Sequence, residues 1–203
     1  MKTIGITGGV GAGKSLILNY INSHYHAKIY MADHIANDLK EPGQSCYESM
    51  VDLLGRQILD ADGRINKGKM AERIFENAEL LRKVNEVIHP AVKRFVLEEI
   101  EKEKKKKEYD FFILEAALLI EEGYDKILDE LWYIRTVEEI RRNRLRQSRN
   151  YTDEKIRGIM RNQFSDEIFR KHCKVIIDNN HDPEETYKQI DEKLGEYISA
   201  EGK

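Results

Sequence analysis

With 203 residues, 40% of them hydrophobic and 35% charged, the chain is long enough for one compact α/β domain with a small insert and too short for two full-sized domains. Its net charge of −3 gives no sign of a phosphate-coating surface, so no nucleic-acid partner is expected and any basic site must be local. Cys46 and Cys173 form no CxxC pair, which points to two unpaired thiols in a reducing cytosol and not to a zinc site or a disulfide framework.

The apolar start is interrupted at once by Gly5, Gly8 and Gly9, unlike a signal peptide. No apolar run approaches the ~20 residues that span a bilayer, so a cytoplasmic protein without membrane attachment is expected. Thr3–Ile6 reads as a strand feeding a glycine-rich turn. Beyond the turn, Ile17, Tyr20, Ile21 and His24 recur at the spacing of a helix with one buried stripe. Ala27–Ala32 reads as a second strand ending at Asp33. Such a unit predicts parallel strands joined by a right-handed crossover.

Residues 34–108 read as mostly helical, broken at Pro42-Gly43, at Asp60-Ala61-Asp62-Gly63 and at His89-Pro90. Lys104–Lys107 reads as a solvated helix end, where cations suit the helix dipole. Phe111–Leu114, Leu131–Ile134 and Val175–Ile177 supply three more strands, continuously apolar as in the middle of a parallel sheet. A last helix is expected from about Pro183, with Asp182 as its N-cap. The predicted fold class is therefore α/β: a doubly wound parallel sheet of about five strands with helices on both faces. The core is assigned to 1–33, 109–136 and 173–203, a helical insert to 34–108 and an arginine-rich lid to 137–172.

Gly8-Gly9-Val10-Gly11-Ala12-Gly13-Lys14-Ser15 fits G-x-x-x-x-G-K-[ST] at every fixed position, between a predicted strand and a predicted helix. The backbone N–H groups of such a loop cradle phosphates, and the helix behind it adds its positive end. Lys14 is placed to reach the β- and γ-phosphates, the Ser15 hydroxyl to ligate Mg²⁺, and Leu16 to complete the ATP-binding run. ATP and Mg²⁺ are the expected cofactors.

The loop alone does not separate switches, motors and kinases. Asp60–Gly63 and Asn66-Lys67-Gly68-Lys69 imitate a GTPase's motifs, but they lie a few residues apart, and Lys69 stands where a base-reading aspartate is needed. They read better as a surface turn. Nothing marks an assembly interface, so no obligate protein partner is expected. A phosphotransferase needs an acceptor site and a cationic cover for the transferring group. The cover is the stretch holding Arg141, Arg142, Arg144, Arg146, Arg149, Arg157, Arg161 and Arg170, with Arg144, Arg149 and Arg161 the leading phosphate contacts and Thr152 an N-cap within it. On the acceptor side, Asp33 ends the second strand, where open α/β sheets place their ligands. Its carboxylate can take or orient the attacking hydroxyl's proton, or it can cap a helix beginning near His34; position and residue type favour the first.

Together these segments resemble the dephospho-coenzyme A kinases over nearly the whole chain. The resemblance rests on Ile4–Ser15, Ala32-Asp33, Glu41-Pro42-Gly43 and Asp62-Gly63. It continues through Ile88-His89-Pro90, Glu115–Glu121, the lid closing at Gln163, and Ile177-Asp178-Asn179-Asn180. It implies transfer of the ATP γ-phosphate to the 3′-hydroxyl of the ribose of dephospho-coenzyme A, with Asp33 as base. It also implies an acceptor site that includes His89, Glu115, Leu118 and Arg161, and an Asn179 loop against the adenine. Glu115 and Ala117 stand where the family commonly has aspartate and proline, and a shortened lid turn leaves Arg146 and Arg149 as alternatives for the lid arginine. Another small-metabolite kinase is the second reading. A nucleotide-gated binding module is the third, disfavoured by Asp33 and the arginine-rich lid.

Overall fold

A computed structural model describes residues 1–75 and 77–201. The chain divides into two compact units, one made of Met1–Tyr30 with Glu103–Lys203, the other of Met31–Lys102. Among the described residues, five strands form one sheet: β1 (Lys2–Thr7), β2 (Ala27–Met31), β3 (Phe111–Glu115), β4 (Glu130–Arg135) and β5 (Val175–Asp178), in the order β2-β3-β1-β4-β5. β1 lies parallel to β3 and to β4, and β4 parallel to β5. This is the expected doubly wound parallel sheet.

The central strands β1, β3 and β4 are buried on both faces because helices cover both. On one face, Ile4 and Ile6 of β1, Phe111 and Ile113 of β3, Trp132 and Ile134 of β4, and Val175 and Ile177 of β5 fall at every second position. They pack with Ile17 and Ile21 of α1 (Lys14–His24) and Ile190 and Leu194 of α9 (Pro183–Glu201). On the other face, Tyr133 stacks on Phe169 of α8 (Asp166–His172), ring centroids 4.5 Å apart. Between β4 and α8 run α6 (Glu138–Arg149) and α7 (Asp153–Arg161). The Thr152 side chain accepts from the Lys155 N–H at 3.3 Å, the expected N-cap of α7.

The second unit holds α2 (Ala32–Asp38), α3 (Tyr47–Leu54), α4 (Lys67–Phe75) and most of α5 (Ala78–Lys106). Two boundaries differ from expectation. His89-Pro90 does not break the helix: α5 runs through it for 29 residues. Proline removes one N–H but already holds a helical φ, and the buried stripe of Val84, Ile88, Ala91, Val92, Val96 and Ile100 spans the position. The second difference is at β2, which stops at Met31 instead of Ala32, so α2 starts two residues earlier than expected.

The GTPase-like residues are consumed locally, as a surface turn should be. Gly63 N–H bonds to Asp60 C=O, Leu59 bridges Ile65, and Asp60 takes hydrogen bonds from Asn66 and Lys69. Asn66 in turn accepts from the Lys69 N–H at the start of α4. Cys46 and Cys173 are both free thiols and both buried.

Candidate active site

The glycine-rich loop leaves β1 at Thr7 and enters α1 at Lys14. Gly13 is the N-cap residue, with φ 88°, a left-handed conformation that glycine adopts without steric cost. No side chain caps α1, so the start of the helix keeps N–H capacity that an anion can satisfy. The turn is tightened by Ala12 N–H to Gly9 C=O at 3.1 Å.

Lys14 folds back over the loop. Its Nζ donates to Gly8 C=O at 2.9 Å and lies 3.5 Å from Glu115 Oε1, both side chains being largely buried. β1 and β3 place them together, since Ile6 is in register with Glu115 at the ends of the two strands. Glu115, with its extra methylene, thus spans the gap to the lysine. Leu118 follows in the loop after β3 and is exposed, while Ser15 and Leu16 are exposed on the first turn of α1.

The loop has a polar floor. Asn179, fully buried, donates from Nδ2 to Ala12 C=O at 2.7 Å and accepts from Thr186 Oγ1 at 3.0 Å. Thr136 Oγ1 donates to the same Ala12 carbonyl at 3.0 Å. The Asn179 side chain therefore holds the loop from behind, and its amide is not directed outward at a nucleotide base. Arg144 completes this layer, donating to Asn179 C=O at 3.0 Å and to Ala12 C=O at 3.4 Å. Burial lowers the Arg144 pKa from its ordinary value, as expected of a cation partly withdrawn from water.

A second arginine stands at the other end of the loop. Arg141, one helical turn before Arg144, donates from Nη1 to Gln163 Oε1 at 2.9 Å. A β-carbon built on Gly9 would fall 1.8 Å from that Nη1. The sequence places Arg141 in the cover without singling it out, and does not reveal Thr136 or the floor role of Asn179. The usable signal for Arg141 was its 3–4 residue spacing from Arg144 and Leu145, one face of one helix.

The lid arginines advanced alongside Arg144 sit elsewhere. Arg149, at the end of α6, is exposed and lies over the Tyr151 ring at 5.9 Å. Arg146 pairs with Asp153 at 2.6 Å, and Arg161 is exposed at the end of α7.

In the second unit, Asp33 is the second residue of α2 and exposed. The N-cap of α2 is Met31 and no side chain caps it, so the capping alternative for Asp33 fails. Burial lowers the Lys40 pKa, Lys67 adds to the shift, and the Cys46 and Asp33 charges oppose it. His89 lies within α5, half-buried.

Comparison with known proteins supplies the family. The model of the dephospho-CoA kinase family matches residues 2–185. A dephospho-CoA kinase of Fusobacterium nucleatum is 35% identical over 189 residues, 93% of this chain and 94% of that protein. The structure of TT1252 from Thermus thermophilus superposes with a TM-score of 0.79 at 26% identity, covering 96% of this chain and 97% of that one. Dephospho-CoA kinase from Campylobacter jejuni, at 20% identity, shares the fold with a TM-score of 0.66 over 97% of each chain. A loop built to hold a nucleotide's phosphates and a match over most of the length lead to one assignment: this chain is an ATP-dependent phosphotransferase that belongs to the dephospho-CoA kinase family.

Proposed function

We propose that the protein moves the γ-phosphate of ATP to the ribose 3′-hydroxyl of dephospho-coenzyme A, yielding coenzyme A and ADP. The bond from the γ-phosphorus to the bridging oxygen breaks, the ribose oxygen takes its place, and the hydroxyl proton leaves. The carrying observation is the uncapped start of α1 behind a loop whose lysine lies 2.9 Å from Gly8 C=O. Gly8–Leu16 binds the polyphosphate, with Lys14 neutralising charge that builds on the β–γ bridge. Asp33 accepts or orients the hydroxyl proton. Arg144 acts from the loop's edge and Arg149 on lid closure, while His89, Leu118, Glu115 and Arg161 hold the acceptor.

Mg²⁺ fits the oxygen donors present. The ion would rest on the Ser15 hydroxyl, exposed on the first turn of α1, and on phosphate oxygens. When bound, it would neutralise phosphate charge. Residues 34–108 serve as the acceptor region and 137–172 as a mobile lid. No described helix is long and apolar enough to cross a membrane, and we assign the protein to the cytoplasm, without nucleic-acid, membrane or obligate protein partners.

An assay of ADP release with dephospho-coenzyme A, adenosine, other nucleosides and shikimate as acceptors tests this. Turnover confined to dephospho-coenzyme A is expected; equal or faster turnover with a nucleoside or shikimate would overturn the acceptor assignment.

A further inference from the structure

We propose that Arg141 binds the terminal phosphate of ATP, with Gln163 as the residue that positions it. Three observations carry this. The first is place. Lys14 Nζ, the group that reaches the β- and γ-phosphates, lies at Gly8 C=O, which marks that end of the loop as the γ end. The Arg141 guanidinium stands over the next residue, Gly9, where a β-carbon would also come within 3.0 Å of Gln163 Oε1. Arg144 covers the opposite end, at Ala12 and Gly13. The two arginines, one turn apart on α6, thus take the two ends of one loop.

The second observation is unmet bonding capacity. Arg141 Nε is buried and has no hydrogen-bond partner among the described residues. Its guanidinium makes a hydrogen bond to the neutral Gln163 and no ion pair among those residues. A half-buried guanidinium lacking a carboxylate is costly unless an anion completes it, and a phosphate oxygen suits its planar fork.

The third is anchoring. The Arg141 backbone packs against Gly11, where a β-carbon would meet Arg141 O at 3.0 Å and Leu145 Cγ at 3.0 Å. The arginine's root is thereby fixed to the loop itself, and Gln163, between α7 and α8, fixes its tip. A cation held at both ends is already oriented when the phosphate arrives.

The inference rests on ATP being the phosphate donor. It is tested by calorimetric titration of the whole protein with the β,γ-imido analogue of ATP and, separately, with ADP, each with Mg²⁺. For Arg141→Gln we expect affinity for the triphosphate to fall roughly 10- to 100-fold, the range of a lost charged hydrogen bond, and affinity for ADP to stay within about twofold. Arg141→Lys should show a smaller loss with the same selectivity, and supplies the answer if the glutamine variant does not fold. Gln163→Leu, which keeps the arginine but frees its tip, should weaken triphosphate binding less than Arg141→Gln does. Equal losses for both nucleotides, or no loss for either, would overturn the proposal. The readout is a ratio of nucleotide affinities and needs no acceptor. A parent protein that failed to phosphorylate dephospho-coenzyme A would break the functional reading and leave this ratio decisive.

Discussion

Apart from Arg142, which pairs with Glu138 on its own helix, the arginines of 141–161 fall into two groups that composition cannot tell apart. On the first half of α6, Arg141 and Arg144 point into the phosphate loop and bond to Gln163, Ala12 and Asn179. From Arg146 onward the same residue type pairs with Asp153, lies over Tyr151 or is exposed. The first group belongs to the loop's architecture, and its charges are withdrawn from water, where each interaction is worth more. The second group pairs in solvent, where ion pairs contribute about 0–1 kcal/mol. A count of arginines locates the cover, but only depth says which of them act without a conformational change.

The largest effect expected lies outside both groups. Asp33→Asn should lower kcat by roughly 10²–10⁴ with an unchanged melting temperature, because Asp33 is exposed and caps nothing. Full activity in that variant would move suspicion to Glu115. Lys14→Ala should cost on the order of 3 kcal/mol of transition-state stabilisation, or about a hundredfold in rate. Its fold should persist, since the lysine's bonds are to one carbonyl and one carboxylate beside the loop and not to the hydrophobic core.

The comparison itself is broken or sharpened by Arg144→Ala beside Arg149→Ala. The first removes two hydrogen bonds from the loop's floor and should cost about 1–3 kcal/mol of stability, a fall of several degrees in melting temperature, together with weaker ATP binding. The second should leave the melting temperature unmoved and lower kcat alone, as a contact made on closure would. Matching melting temperatures in the two variants would dissolve the distinction.

The smallest effect is acid sensitivity of the floor. Burial works to raise the Asp178 pKa, but hydrogen bonds from the Asn180 backbone and side chain and from Arg135 outweigh it and hold it below the ordinary 3.8. A carboxylate depressed by folding contributes stability that is complete above 3.8 and fades as pH falls through the folded-state value. Asp178→Asn should therefore lower the melting temperature at pH 6 and narrow the gap to the parent below pH 4. A gap independent of pH would contradict this.

Much of this molecule was legible in its sequence because the informative residues act locally. The loop of Gly8–Ser15 has backbone geometry written into its glycines, and β3 and β4 carry their burial as apolar runs. Thr152 caps α7 three residues from its partner. What escaped reading depends on distant residues. Asn179 looks like a turn residue until Ala12, 167 positions away, comes to meet it. Arg141 shares a helix face with Arg144 and Leu145, but that this face meets Gly11 and Gly13 shows only once the chain is folded. Pro90 reads as a break because proline usually is one, and only the buried stripe on both sides of it carries the helix through.

The central claim is one of chemistry at one oxygen, and nuclear magnetic resonance of the product tests it most directly. Protein, ATP and Mg²⁺ incubated with dephospho-coenzyme A should yield a new phosphomonoester whose phosphorus is scalar-coupled to the ribose 3′ proton, formed one for one with ADP. ADP formed without a new ester, or an ester coupled to the 2′ proton, would contradict it.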